Sequence, residues 1–435
     1  MILIYSHKVT PRIRYIFKHI FTRILLIDID FTTKVEDFVA FNGPKLSYNK
    51  VPLGKEFFIR SHDLLFQQGV RDVDIHIEKW EGIPSFFSAG ERSAIPFDIF
   101  AASFYLITRY EEYLPHIKDN HGRFTAKESI AYQHGFLEKP LIDIWAYKLR
   151  KVLQEKYPDY QYQERVYKYI STIDVDNAYC YKHKGIIRTI AGFLKDASQF
   201  KIFNLWDRFA VRFGIKKDPF YTFNEILDLR KELNIRTIFF FLIGDYTTYD
   251  TNVSTSKSKF KLLIKEMVDY ARVGLHPSYY TSTDIVMLKK EKERLENITN
   301  MPIIRSRQHY LKFNLPDTYQ RLIDLEIKED YSMGYASHVG FRASTCTPYY
   351  FYDLDFEIQT PLKIFPFALM DTTLNDYMKL TPKQSLGKIR DIKNEVKRVN
   401  GTLITLFHNE SLSNYQRWKG WKRVYGTMLK MVKND

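Results

Sequence analysis

The second part of the chain, residues 166–435, predicts an α/β fold built on a parallel sheet or barrel, and three observations carry that reading. Apolar runs of strand length alternate with segments whose apolar residues recur at three and four. Several of those runs end in a residue able to do chemistry: Asp174, His276, His309 and His408 each stand at or just beyond one. Helix starts are also marked. Thr222-Phe223-Asn224-Glu225 has the form of a capping box, and Pro382 follows Thr381 at a first helical position. Residues 1–165 predict a smaller α+β domain of unknown role, joined through the polar stretch 155–164.

In the first part, strands are expected at 2–5, 24–31, 56–59 and 74–77, and helices at 97–110 and 141–153. Asp119-Asn120-His121-Gly122-Arg123-Phe124 is a turn-rich loop that can reach over the mouth of the second part. Arg109, Glu111 and Glu112 read as a solvated or interdomain ion-pair face. In the second part, the strand near 167–175 carries Asp174 and Asp176 on one side of an extended chain. Residues 201–217 form an amphipathic insertion. The helix opened by Thr222 has Ile226, Leu229 and Leu233 as its apolar stripe and ends at Asn234. Strands at 237–243, 272–275, 302–307 and 402–407 follow, separated by helices to Tyr270 and over 285–295 and 316–325. A long helix starts at Pro382, and a last one uses Trp418, Trp421 and Tyr425 inside.

Composition excludes some classes. Hydrophobic residues at 45% and charged ones at 27% describe a folded chain, and 435 residues suffice for two or three domains. Lys and Arg exceed Asp and Glu by 14, an excess read as spread along the chain without a long basic block, so nucleic acid is not expected as a partner. Cys180 and Cys346 make no disulfide framework and fit a reducing compartment. The apolar run 238–243 is too short to cross a bilayer. A cytoplasmic protein without a transmembrane segment is expected. Oligomeric state is left open.

Asp-x-Asp occurs at Asp28/Asp30, Asp72/Asp74 and Asp174/Asp176. The first two read as solvent-facing positions of alternating strands. The third closes a strand of the alternating unit, where α/β proteins build sites. One carboxylate and two imidazoles make an open site for zinc or a similar divalent ion, and a second carboxylate and a third imidazole can then serve as base and acid.

STIDVDNAY, GLHPSYYTS, RSRQHYLKF, GFRASTCTPYY and LFHNESL, in that order, resemble the polysaccharide deacetylases, the NodB-like metal-dependent carbohydrate esterases. The likeness covers about residues 166–435, and is closest to a bacterial branch with an extra N-terminal domain. The resemblance implies a distorted (β/α) barrel and removal of acetyl groups from sugars. Carried over by position, Asp174 resembles the catalytic base, Asp176 the metal carboxylate and His276 the first histidine ligand. Tyr280 stands where the second ligand would be, and His309 is expected to replace it. Arg342 resembles the arginine that orients the base, His408 the catalytic acid and Asp371 the carboxylate paired with it. The implied cofactor is a divalent metal, zinc first, and the implied partner an acetylated sugar or glycan. Tyr280 and Tyr349 are expected at the rim, where they would stack on sugar rings or pack with neighbours. Two rivals stay open. A sugar-nucleotide glycosyltransferase would explain Asp174/Asp176 but leave the histidines idle. A catalytically inactive barrel would serve as a glycan-binding or assembly module.

Overall fold

The computed structural model describes residues 1–433. Its strands are β1 (Ile2–Tyr5), β2 (Ile29–Thr32), β3 (Lys45–Asn49), β4 (Phe57–Arg60), β5 (Glu78–Trp80), β6 (Ile83–Ser85), β7 (Lys168–Val175), β8 (Thr237–Leu242), β9 (Arg272–His276), β10 (Arg305–Ser306), β11 (Glu329–Asp330), β12 (Tyr349–Asp353), β13 (Ile358–Ile364), β14 (Leu369–Met370) and β15 (Thr402–His408).

The first four make a sheet in the order β2-β1-β3-β4 with every pair parallel. The α+β expectation for this part therefore gives way to a small parallel α/β layer. The missing piece was β3, whose short alternating run KLSYN is too polar to stand out. The strand expected over 24–31 begins late because the preceding helical turn continues through Lys18–Ile24 and Leu26 takes a left-handed conformation. Nothing pairs at 74–77. The nearby hairpin is β5–β6, turned by Glu81 and Gly82, both at positive φ, as a two-residue turn between right-twisted strands requires. Asp28, Asp30, Asp72 and Asp74 are all exposed, as expected.

The second sheet has nine strands in the order β12-β13-β11-β10-β9-β8-β7-β15-β14. It is mixed, because β12 and β13 are antiparallel. No ladder joins β12 to β14 among the described residues, so the expected barrel is not closed. The central strands β7, β8, β9, β10 and β15 are parallel, and all their carboxyl ends lie at one edge. Residues of both sheets belong to one continuous hydrophobic core, from Ile2 and Phe17 to Phe239 and Phe407.

Capping differs from expectation at one helix. Thr222 precedes the helix Phe223–Leu233 but its hydroxyl donates to the Asn409 carbonyl, so it caps nothing. The reciprocal capping box is instead Thr381 with Gln384, at the helix Pro382–Arg398.

His19 is fully buried, lies edge-on to the Tyr349 ring, and has no hydrogen-bond partner on either ring nitrogen. Burial, reinforced by the Arg23 cation, pushes it down to about 3. A folded pKa below the unfolded value means that the unfolded chain binds a proton the folded chain refuses. Stability is therefore complete above the unfolded pKa of about 6.5 and declines as pH falls from there toward 3. At pH 5 the loss from this one ring is about 2 kcal/mol. His19→Leu should remove that part of the pH 7-to-5 loss, read by urea unfolding at the two pH values.

Candidate functional site

Parallel pairing brings the site together. In the ladder, Asp174 at the end of β7 lies beside His408 at the end of β15 and Phe240 on β8. His276 is the last residue of β9, and β10 delivers Arg307, Gln308 and His309 directly after Ser306. Asp371 follows β14. Asp174, Asp176, His276, Gln308, His309 and His408 border one pocket of about 370 Å³, with Arg307 and Asp371 behind its wall.

Asp174 is buried. The Arg307 guanidinium donates from Nη1 to Asp174 Oδ1 at 3.0 Å and to Thr172 Oγ1 at 2.6 Å, and from Nε to the Tyr331 carbonyl at 3.0 Å. It also lies 4.8 Å from the centre of the Phe240 ring. The guanidinium thus supplies the buried carboxylate with a charge-assisted hydrogen bond.

Asp176, just past the strand, is 24% exposed and is the meeting point of three imidazoles. Its oxygens lie 3.2 Å from His276 Nε2, 3.6 Å from His309 Nε2 and 3.7 Å from His408 Nε2. Each ring is fixed from behind through Nδ1. His276 uses the Arg307 carbonyl, His309 uses Asp250 at 2.8 Å and His408 uses Asp371 at 2.8 Å. A carbonyl or carboxylate only accepts, so Nδ1 carries the hydrogen there and Nε2 is turned toward Asp176.

Charges shift accordingly. Burial would raise Asp176, but His309 and His408 hold it well below the usual carboxylate range. Burial would lower His309, yet Asp176 and Asp250 push it up to about 9. His408 is likewise lowered by burial, and Asp371 and Asp176 carry it up to about 10. Asp250, raised by burial, ends below its ordinary value through its hydrogen bond with His309.

Asp176, His276 and His309 offer ligand atoms within 4.8 Å of one another. Asp176 Oδ1 is buried without a hydrogen-bond partner. One carboxylate and two imidazoles with their far nitrogens anchored fit a divalent cation.

Asp174, Asp176, His276, His309, His408 and Asp371 thus lie together; Asp371 also accepts from the His408 backbone N–H at 2.7 Å. Arg342 does not join them. It is buried on the first part of the chain, bound through two hydrogen bonds to Glu112 at 2.6 and 2.8 Å, and Glu112 also receives Arg109. The arginine paired with Asp174 is Arg307 instead, and Arg109, Glu112 and Arg342 form a buried ion-pair cluster between the first and second parts of the chain. Tyr349 is buried against His19 and does not border the pocket. Tyr280 is exposed beside Tyr249 and Tyr279, outside the pocket wall. The aromatics that do line it are Tyr249, Tyr310 and Tyr377. The turn-rich loop of the first part reaches the mouth. His121 Nδ1 is 3.1 Å from Tyr279 Oη, and Arg123, itself in the pocket wall, donates to the Tyr310 carbonyl at 2.6 Å.

Two residues escaped sequence reasoning. Arg307, two positions before His309, sits just past a strand and was a better placed arginine than Arg342. Asp250 lies in the Ser/Thr-rich loop 247–258, where nothing in the residue pattern marks a histidine partner.

Residues 2–158 match a family model described as a family of unknown function, DUF7033. No curated relative matches the chain. Solved structures similar to it include a Mycobacterium smegmatis protein described as a polysaccharide deacetylase (14% identity, TM-score 0.40, covering 63% of this chain and 86% of that one). Another is the polysaccharide deacetylase Bc1974 from Bacillus cereus (11% identity, TM-score 0.31, 61% and 88%). A third is a CE4 family pseudoenzyme from Bacillus anthracis (12% identity, TM-score 0.30), of whose length the chain spans 62%, with 62% of this chain covered. Similarity thus runs to CE4 deacetylases and to a pseudoenzyme of that family alike.

Proposed function

We propose that the chain is a metal-dependent hydrolase that removes an acetyl or related acyl group from an amino sugar or glycan. We further propose that residues 1–165 form a separate domain that helps wall the pocket. The observation that supports the reading best is the convergence of three anchored imidazoles on Asp176 beside a buried Asp174 paired with Arg307.

Asp176, His276 and His309 would hold the ion, with zinc as the first candidate. When bound, a divalent cation polarises the acyl carbonyl and acidifies a water. Asp174 takes the proton of the attacking water. Arg307 occupies its Oδ1 and holds the carboxylate in place, leaving Oδ2 toward the imidazole cluster. His408 donates a proton to the departing sugar amine. Its Nδ1–H is fixed by Asp371, whose carboxylate favours the protonated ring. Arg123, Tyr249, Tyr310 and Tyr377 in the pocket wall supply a guanidinium and aromatic rings for sugar hydroxyls and ring faces.

Acetate release from N-acetylated chito-oligosaccharides tests the proposal. The zinc-loaded protein should release acetate, lose that activity under chelation, and regain it when zinc is returned. Release that survives complete metal removal would overturn it. So would a fully metal-loaded protein that binds the oligosaccharide and leaves the acetyl groups in place, the behaviour of a binding module.

A further inference from the structure

Between β7 and β8 the chain builds a helical hairpin from the helices Ile186–Ser198 and Ile202–Arg212. The two are tied by the Arg208–Asp196 ion pair at 2.7 Å. They turn a cluster of large apolar side chains outward. Ile187, Phe200 and Phe203 are 84%, 88% and 87% exposed, and Ile202, Phe213 and Trp206 are bare as well. Scattered exposed apolar residues are ordinary, but a cluster of this size on consecutive helices marks an interaction surface.

The charge of the hairpin selects the partner. Residues 182–217 carry nine Lys and Arg against two Asp, so seven of the chain's excess of fourteen positive charges fall in this one segment. The excess is therefore not evenly spread, as composition suggested. Both acids are consumed locally, Asp196 by Arg208 and Asp207 by Lys216 at 2.7 Å. Lys195, Lys201, Arg212 and Lys217 stay exposed beside the apolar side chains. A second copy seated on this face would bring two such positive surfaces together. No helix among the described residues is long and apolar enough to cross a membrane. Short amphipathic helices with aromatic and aliphatic side chains on one side and basic residues around them lie in the interface of an anionic bilayer.

We propose that this hairpin docks the protein on an anionic membrane surface. The hairpin is braced on the rim of the pocket. Arg188 donates to the carbonyls of Thr251 at 2.6 Å and Asn252 at 3.1 Å, and Tyr415 Oη donates to Asp207 at 3.0 Å. Thr251 lines the pocket itself, so docking brings the pocket rim next to the bilayer. The inference rests on the hairpin alone and is independent of the hydrolase reading.

Co-sedimentation of the full chain with vesicles tests it. Vesicles of phosphatidylglycerol mixed into phosphatidylcholine should capture the protein at least about tenfold better than phosphatidylcholine alone, and added salt should weaken capture. Phe200→Ser with Phe203→Ser should lower capture by about tenfold or more, with circular dichroism unchanged because neither side chain is packed. Lys201→Glu with Arg212→Glu should do the same on anionic vesicles only. Equal capture of the Phe variant and the parent would overturn the proposal. So would failure of the parent to bind anionic vesicles, or a lipid-free dimer that the Phe variant dissolves.

Discussion

Asp174→Asn should keep its metal and lose turnover by about 10²–10⁴-fold. The amide has the shape of the carboxylate, so its oxygen can still accept from Arg307, and none of the three candidate ligands is changed. What disappears is the ability to take a proton. His276→Ala gives the contrasting result. It removes a candidate ligand whose ring is locked by the Arg307 carbonyl, and both bound metal and turnover should fall together. Metal content by elemental analysis, set beside acetate release for the two variants, separates the base from the ligand. Asp174→Asn hydrolysing acetylated sugars as well as the parent would show the base assignment to be wrong.

Arg307→Met should cost about 3–5 kcal/mol of stability. Asp174 would be left buried with no cation, and the Thr172 hydroxyl and Tyr331 carbonyl would each lose their donor. Methionine fills the space against Phe240 but cannot offset the desolvated carboxylate. The carboxylate also loses the partner that holds it in place, so turnover falls as well. Arg342→Met is the matched control. It strips a buried carboxylate, Glu112, of one of its two cations while Arg109 stays, so unfolding in urea should show a clear but smaller loss. Because Arg342 touches Glu112 and the Gly334 carbonyl, with no contact to Asp174, turnover per folded molecule should change far less. A variant of Arg307 with the parent's turnover would remove it from any role at Asp174.

Much of the site was legible because parallel strands obey a simple geometry. A residue that ends an apolar run in an alternating β and α pattern lies at the carboxyl edge, and every such residue shares that edge. Asp174, His276 and His408 were found that way, and His309 by its place just beyond a strand. Contacts made across the chain were less legible. Arg342 sits in a motif-like stretch, yet Glu112, 230 residues away, claims it. Tyr349 reads as a rim aromatic but opens β12 inside the core, packed on His19. Asp250 comes from a loop with no periodicity, and loop positions are set by tertiary contacts that local pattern does not encode. The same holds for Thr222 and Thr381. Both precede a helix with the right partner three residues on, and only the pull of the Asn409 carbonyl distinguishes them. In the first part of the chain, β3 was too short and polar to register, and without it the parallel order of that sheet was out of reach.

X-ray absorption at the zinc edge of the zinc-loaded protein tests the central idea most directly, since the proposed hydrolysis depends on a shared cation between β7, β9 and β10. The expected spectrum contains two imidazoles and carboxylate or water oxygens, and His309→Ala should lose one imidazole or the ion altogether. A spectrum without imidazole scattering, or one that neither His276→Ala nor His309→Ala alters, would contradict the account.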